Sequence, residues 1–521
     1  MRPRLFIALA AIGSVLLPGT AAAATGGSSV GAPATVVFPE VVLPVYEAGP
    51  RLTVVFANNG ASSVRMSIPK VQGTNSALFH LPSGGGGVTL GPGETFPTTV
   101  EFLPYVAGTY RAELAVVTGE AGNPTVRVAL VGTARAATVL DNNIAGSRFV
   151  PVSPVRVLDT RAGLGWPGGA LGARGSAVLT LPANLVDNAA SAVVLNVTAT
   201  DAAGAGYVTV WPAGKQQPVA SSLNVEGAGD TIANLVTVAV GTGRSVAFFA
   251  SGGTDLVADL AGYYVPTTAT SAGRYQPVAP ARVLDTRVSG GPLAAGETRA
   301  LTVAGQAGVP AAGAGAVMLN VTVAGAAGPG FVTVWPDDVA QPTASNLNPQ
   351  AAGQTIANQV VVRLGPSGVL DLYSRNRTDL VVDVVGWFTD ASAPASVVGL
   401  FFPIGPVRVI DTRSDAPPGP GAVVGVDAVA AGVSADALAV TANVTATDAL
   451  GPGFVTAWTG AGSPPLASNL NVERQGQTIP NHVTSPLGSG HFSLFVQRGT
   501  HLVVDLTGFY RGVARTAFAA T

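Results

Sequence analysis

Pro154-Val155-Arg156-Val157-Leu158-Asp159-Thr160-Arg161 is the stretch whose reading decides the fold. Its last three residues return as Asp285-Thr286-Arg287 and again as Asp411-Thr412-Arg413, each 126 residues after the copy before. An aromatic residue and the spacing Pro-x-x-Pro-x-Arg-Val-(Leu/Ile) precede each copy. Self-similarity at a fixed period marks a tandem array of one domain.

Further landmarks follow every copy in the same order. A strand carries Asn196-Val197-Thr198, Asn320-Val321-Thr322 or Asn443-Val444-Thr445. After a glycine turn comes an aromatic strand running from Tyr207 to Trp211, Phe331 to Trp335 or Phe454 to Trp458. Ser-x-Leu-Asn ends at Asn224, Asn348 and Asn471, and a second asparagine follows at Asn234, Asn358 and Asn481. Each copy closes on Leu-Val-x-Asp-x-x-Gly and two aromatics, with the acid at Asp259, Asp383 and Asp505. Helical periodicity is weak throughout. These landmarks predict three homologous all-β sandwich modules at 147–266, 273–390 and 400–511, joined by short small-residue linkers.

Composition bounds the rest. The 521 residues carry a formal charge of −2, and only 11% are charged. Lys70 and Lys215 are the only lysines, and there is no basic stripe, which argues against nucleic acid as a partner. Cysteine is absent, so neither disulfides nor thiolate zinc can hold the fold, and each domain needs its own apolar core. The 66 glycines and 39 prolines, with abundant Val and Thr, suit many short strands joined by tight turns. At the N-terminus, Arg2 and Arg4 precede an apolar run from Leu5 to Leu17 and then Ala21-Ala22-Ala23-Ala24. This reads as a signal peptide over residues 1–24, and no later run is long enough to span a membrane after its cleavage. No sorting motif or anchor is expected after Tyr510. The expected location is extracellular or at the cell surface.

Between the Gly/Ser-rich residues 25–33 and the first repeat, residues 34–137 show short alternating strands, expected to form a sandwich. The segments Thr99-Val-Glu-Phe-Leu-Pro104, Gly108-Thr-Tyr-Arg-Ala-Glu-Leu114 and Val128-Ala-Leu-Val-Gly-Thr-Ala134 resemble, in order, the Hydin-type immunoglobulin-like domains of bacterial surface proteins. That resemblance implies a spacer or binding fold without catalysis. The three-copy pattern resembles a repeat of secreted and surface proteins of actinobacteria, where it often accompanies peptidase, amidase or adhesin-like domains. It covers about 360 residues. It implies location and architecture more than activity.

The shared polar residues suggest two roles. Asp259, Asp383 and Asp505 sit in otherwise apolar strands, where an unpartnered carboxylate is costly. Arg161, Arg287 and Arg413 are the expected partners, making structural ion pairs between the ends of each module. A calcium site built from Asp159 and Asp259 is the alternative, although the EF-hand loop spacing is missing. The paired asparagines are expected to cap turns or satisfy backbone groups. In the aromatic strand, Tyr207 and Trp211, Phe331 and Trp335, and Phe454 and Trp458 would share one face if the intervening valines face the core. Exposed, such pairs could stack on sugar rings. Buried, they are sandwich core.

His80, His482, His491 and His501 occupy no position common to the three modules, and no nucleophile elbow, zinc-protease or nucleotide motif is present. No catalytic residue, metal or cofactor is called for. The sequence therefore points to a secreted or surface recognition and adhesion protein that is not an enzyme. Its partner would be a polysaccharide or cell-wall glycan, or other surface proteins, with three weak sites gaining avidity. A structural stalk or spacer is the alternative reading, and a glycoside hydrolase the third.

Overall fold

The computed structural model describes residues 15–16, 28–43, 50–83, 87–104, 108–136 and 146–512. The expected signal segment 1–24 lies outside these residues apart from Val15 and Leu16. The protein is all-β. The only helical turns among the described residues are two 3-10 turns, Ser76–Leu78 and Thr160–Ala162. No helix among them is long and apolar enough to cross a membrane. The chain forms two compact units with a boundary after Ala137.

The first unit is an immunoglobulin-like sandwich. One sheet is built on Arg51–Asn58, Thr95–Phe102 and Phe79–Ser83, and the other on Thr125–Ala136, Gly108–Val117 and Lys70–Gln72. Thr35–Val37 and Val41–Leu43 add to the second sheet by parallel pairing with Thr125–Ala136. Alternation dictates the burial: Val126, Val128 and Leu130 are buried while Arg127 and Ala129 are exposed. Phe38, Phe79 and Phe102 form the aromatic centre of the core, with Phe79 and Phe102 stacked at 4.9 Å.

The second unit repeats one strand order three times. In the first module the opening strand Ser147–Asp159 pairs with the closing strand Asp255–Pro266. The closing strand pairs with the asparagine strand Ala192–Thr200, and that with Ile232–Ala239, all antiparallel. The matching inner sheets are Tyr275–Asp285, Asp379–Thr389, Ala314–Ala324 and Ile356–Arg363, then Phe401–Asp411, His501–Arg511, Ala437–Thr447 and Ile479–Pro486. An outer sheet covers each, carrying the tryptophan strand: Gly206–Pro212, Val332–Pro336 or Gly453–Trp458.

The asparagine strands of the inner sheets are buried on both faces, while the opening strands are only partly covered. All nine residues of Ala192–Thr200 are buried. Val193, Leu195, Val197 and Ala199 face the module's own core, while Ala192 and Val194 enter a core shared by all three modules. Six aromatics fill the end of that shared core and are fully buried: Phe149, Tyr264, Tyr275, Phe388, Phe401 and Tyr510. Each module's opening aromatic stacks on the closing aromatic of a neighbour. Phe149 meets Phe388 at 4.4 Å, Tyr275 meets Tyr510 at 4.2 Å, and Phe401 meets Tyr264 at 4.2 Å. First contacts second, second contacts third, and third contacts first. A heterologous contact that closes after three steps makes a ring. The hydroxyls are satisfied inside it, Tyr264 with Tyr510 at 2.6 Å and Tyr275 donating to the Val385 carbonyl at 2.8 Å.

The repeated glycine before the two closing aromatics has its cause here. A Cβ on Gly262, Gly386 or Gly508 would sit within 2.4 Å of the ring atoms of Phe149, Tyr275 and Phe401 respectively. The aromatic of the opening strand lies flat where a side chain would stand, so only glycine fits.

Candidate functional site at the module seams

The Asp-Thr-Arg unit is a structural lock. Asp159 accepts from the backbone amide of Arg161 at 3.2 Å, and the Arg161 guanidinium pairs with the same carboxylate at 2.8–2.9 Å. Thr160 donates to Asp255 at 2.5 Å and accepts from the amide of Leu256 at 3.0 Å, pinning the turn to the closing strand. Thr286 and Thr412 repeat the backbone contact with Leu380 and Leu502. In the third module His501 stands in place of the aspartate, 3.2 Å from Thr412.

The expected pairing of Arg161, Arg287 and Arg413 with Asp259, Asp383 and Asp505 is corrected by these contacts. Arg156, Arg282 and Arg408 hold the strand carboxylates instead, each with two bonds of 2.9–3.3 Å. The reason is register: Arg156 lies directly across the strand pair from Asp259, and Arg282 and Arg408 repeat this with Asp383 and Asp505. The later arginine lies past the strand end, beside its own aspartate. The result is a four-membered chain, Asp259–Arg156–Asp159–Arg161, made three times. Burial raises the pKa of Asp259, Asp383 and Asp505 against the pull of their arginines. The second arginine acts the other way on the outer acids. It lowers Asp159 and brings Asp285 and Asp411 down to about 2. Arg156 occupies oxygens of both Asp159 and Asp259, the two acids of the calcium alternative.

The tryptophan platform is also corrected. Trp211, Trp335 and Trp458 are only 8%, 3% and 5% exposed. Val208 and Val210 face the module core as expected, but the loop after the strand folds over the other face. Thr209, Thr333 and Thr456 clamp that loop by donating to the carbonyls of Ala220, Ala344 and Ala467. The indole nitrogens of Trp211 and Trp335 donate within the loop, to Lys215 and Val339. Of the aromatic pairs, the outer members stay near the surface. Tyr207 is 41% exposed beside Phe249, while Phe331 and Phe454 are half-buried beside Tyr373 and Phe495.

The asparagines satisfy backbone groups, and the groups belong in part to the neighbouring module. Asn196 donates to the Ser345 carbonyl at 2.6 Å, Asn320 to Ser468 at 2.8 Å, and Asn443 to Ser221 at 2.7 Å. Asn358, Asn481 and Asn234 accept from the amides of Leu235, Gln359 and His482 in turn. A third set runs from the amides of Thr231, Thr355 and Thr478 to the side chains of Gln350, Glu473 and Glu226. Each set visits all three seams. Unmet buried amides would cost about 1–3 kcal/mol each, so these side chains hold the ring in one register.

The seams open into grooves. Between the third and first modules a groove of about 370 Å³ is lined by Tyr207, Val219 and Asn224 on one side and Arg413, Thr445 and Thr478 on the other. Between the first and second, one of about 350 Å³ is lined by Thr231, Phe331, Ser345, Asn348 and Gln350. A third depression, of about 460 Å³, draws on all three modules around Ile232, Ile356 and Ile479, with Glu226, Gln350 and Glu473 at its wall. Sequence reasoning placed the aromatics and asparagines but missed that these sites are composite. Arg156 was legible in principle, since it recurs at a fixed step before every Asp-Thr-Arg. The seams were not.

No family model and no curated protein matches the chain. Solved structures similar to it include a PapD-like domain of human CEP192, at 16% identity over 25% of this chain and 99% of that one, TM-score 0.16. The chaperone YadV is similar at 11% identity over 44% of this chain and 100% of that one, TM-score 0.16. A Bacteroides ovatus glucan-utilization protein, SGBP-B, solved with a mixed-linkage heptasaccharide, is similar at 12% identity over 91% and 97%, TM-score 0.15.

Proposed function

We propose that this chain is a non-enzymatic extracytoplasmic recognition protein whose three-module ring binds carbohydrate polymer of an envelope or of the surroundings. The observation that supports this reading is the repetition of an aromatic-edged polar groove at successive seams of one body. Sites fixed on one body gain avidity on a repetitive ligand without any single site being tight. The carboxylates that recur in every module are occupied by guanidinium groups, an arrangement suited to holding strands together rather than to shuttling protons.

The structural stalk is the second reading, favoured by a different observation. The recurring Asp, Thr, Arg, Asn and Trp residues are largely spent on internal contacts. A glycan array and a pull-down on cell-wall sacculi with the purified full-length secreted chain separate the two. Saturable binding supports recognition, and none at millimolar sugar supports the stalk.

A further inference from the structure

Resting on that recognition reading, we infer that the saccharide site is the seam itself, each copy shared between two modules. One module supplies the ring of Tyr207, Phe331 or Phe454 and the asparagine at Asn224, Asn348 or Asn471. The adjoining module supplies the threonine at Thr445, Thr198 or Thr322.

Unmet polar atoms carry this assignment further than the groove shapes do. Asn348 lines the first-to-second groove, is 9% exposed, and its Oδ1 has no partner. Thr198, the counterpart of the groove-lining Thr445, is 5% exposed, and its hydroxyl has no partner. Asn471 repeats the position at the second-to-third seam, where its Nδ2 is unmet. Buried polar groups are nearly always satisfied, so such orphans ask for a partner from outside the chain. At each of these two seams the matched asparagine leaves one amide atom unmet, and a hydroxyl, which both donates and accepts, answers whichever atom is presented. The aromatic edge adds a flat apolar surface of the kind that a pyranose face covers. A hydroxyl-rich ligand with one apolar face is a sugar ring. The site exists only when the ring is closed, because a single module holds half of it.

The test uses the full-length chain, with a soluble β-glucan, a galactomannan, a polyuronate and peptidoglycan fragments as probes. Tyr207→Leu/Phe331→Leu/Phe454→Leu removes the flat rings while keeping apolar bulk. Thr198→Val removes one orphan hydroxyl at constant shape and should leave the melting temperature unchanged. The seam assignment expects the triple variant to weaken binding by about tenfold or more, the effect of losing anchoring side chains. It expects Thr198→Val to weaken it less but measurably. Tyr207→Leu alone, at an exposed position, serves if the triple variant does not fold. Wild-type binding that neither Tyr207→Leu nor Thr198→Val changes overturns the seam and leaves the recognition reading standing. No wild-type binding to any probe overturns both.

Discussion

The strand Thr125–Ala136 of the first unit and the strand Ala192–Thr200 of the ring are both rich in valine and both central in their sheets, yet they are buried differently. In the first, burial alternates, because one face of the sheet meets water. In the second every residue is buried, because one face meets its own module and the other meets two more modules. The polar residues differ accordingly. Asn58 in the first unit is fully buried and serves its own loops, donating to the Ser62 and Leu90 carbonyls. Asn443 in the ring donates to Ser221 and accepts from Asn234, both in another module. The first unit spends its buried polar groups locally, whereas a module that closes a ring spends them on its neighbours.

The widest test of this contrast replaces one aromatic in each unit. Phe401→Ala removes a ring stacked on Tyr264 and lying over Gly508, and should cost about 3–5 kcal/mol. All five tryptophans lie in the ring, so tryptophan fluorescence during denaturant unfolding should report that loss as one shifted transition for three modules. Phe102→Ala should cost a similar amount and leave the tryptophan transition where it was, moving only the circular dichroism of the first unit. Separate tryptophan transitions for individual modules would break the claim of a shared core.

Asn443→Ala should follow, at about 2–4 kcal/mol, since it strands a buried carbonyl and a buried amide across a seam. Asn58→Ala should cost about as much but should act on the first unit alone. Both are read from urea midpoints by the two probes.

Acid should come next and should act on the ring first. His482 is buried, donates from Nδ1 to the Gln359 side-chain oxygen, and its pKa is brought down to about 3 by loss of solvent. It is neutral when folded and protonates more readily when unfolded. Stability is therefore lost as pH falls from about 6.5 toward 3. Asp285 and Asp411, lowered to about 2 by Arg287 and Arg413, add a loss from about pH 4 downward. His482→Leu, which copies Leu235 at the matched position, should flatten the profile between pH 6.5 and 4 in thermal melts. An unchanged profile would remove His482 from the account. The smallest effect belongs to the surface of the first unit, where Arg127→Ala breaks an exposed pair with Glu113 and should change stability by less than about 0.5 kcal/mol.

Much of this is legible in the sequence. The repeat step and the period-two pattern in segments such as Gly108–Val117 led to an all-β reading, because both are local properties of the chain. The glycine ahead of the closing aromatics was visible as a motif, but its partner in the opening strand, more than a hundred residues away, was not. Arg156, not the expected Arg161, faces Asp259 because cross-strand register depends on bulges at Pro151/Val155 and Arg156/Leu158, which no motif announces. Between an exposed and a buried Trp211 the sequence leaves the choice open, because alternation alone does not reveal a loop that folds back over a strand.

By itself the sequence determined that the chain would be built of strands, that three modules would share one plan, and that no disulfide would hold them. Composition, spacing and periodicity act within a module, and a module is a local object. Only the tertiary structure decided that the three plans close on one another, that the asparagines cross the seams, and that the aromatics stack in one shared core. Closure depends on complementarity between surfaces far apart in the chain, and that property exists only once the surfaces have formed.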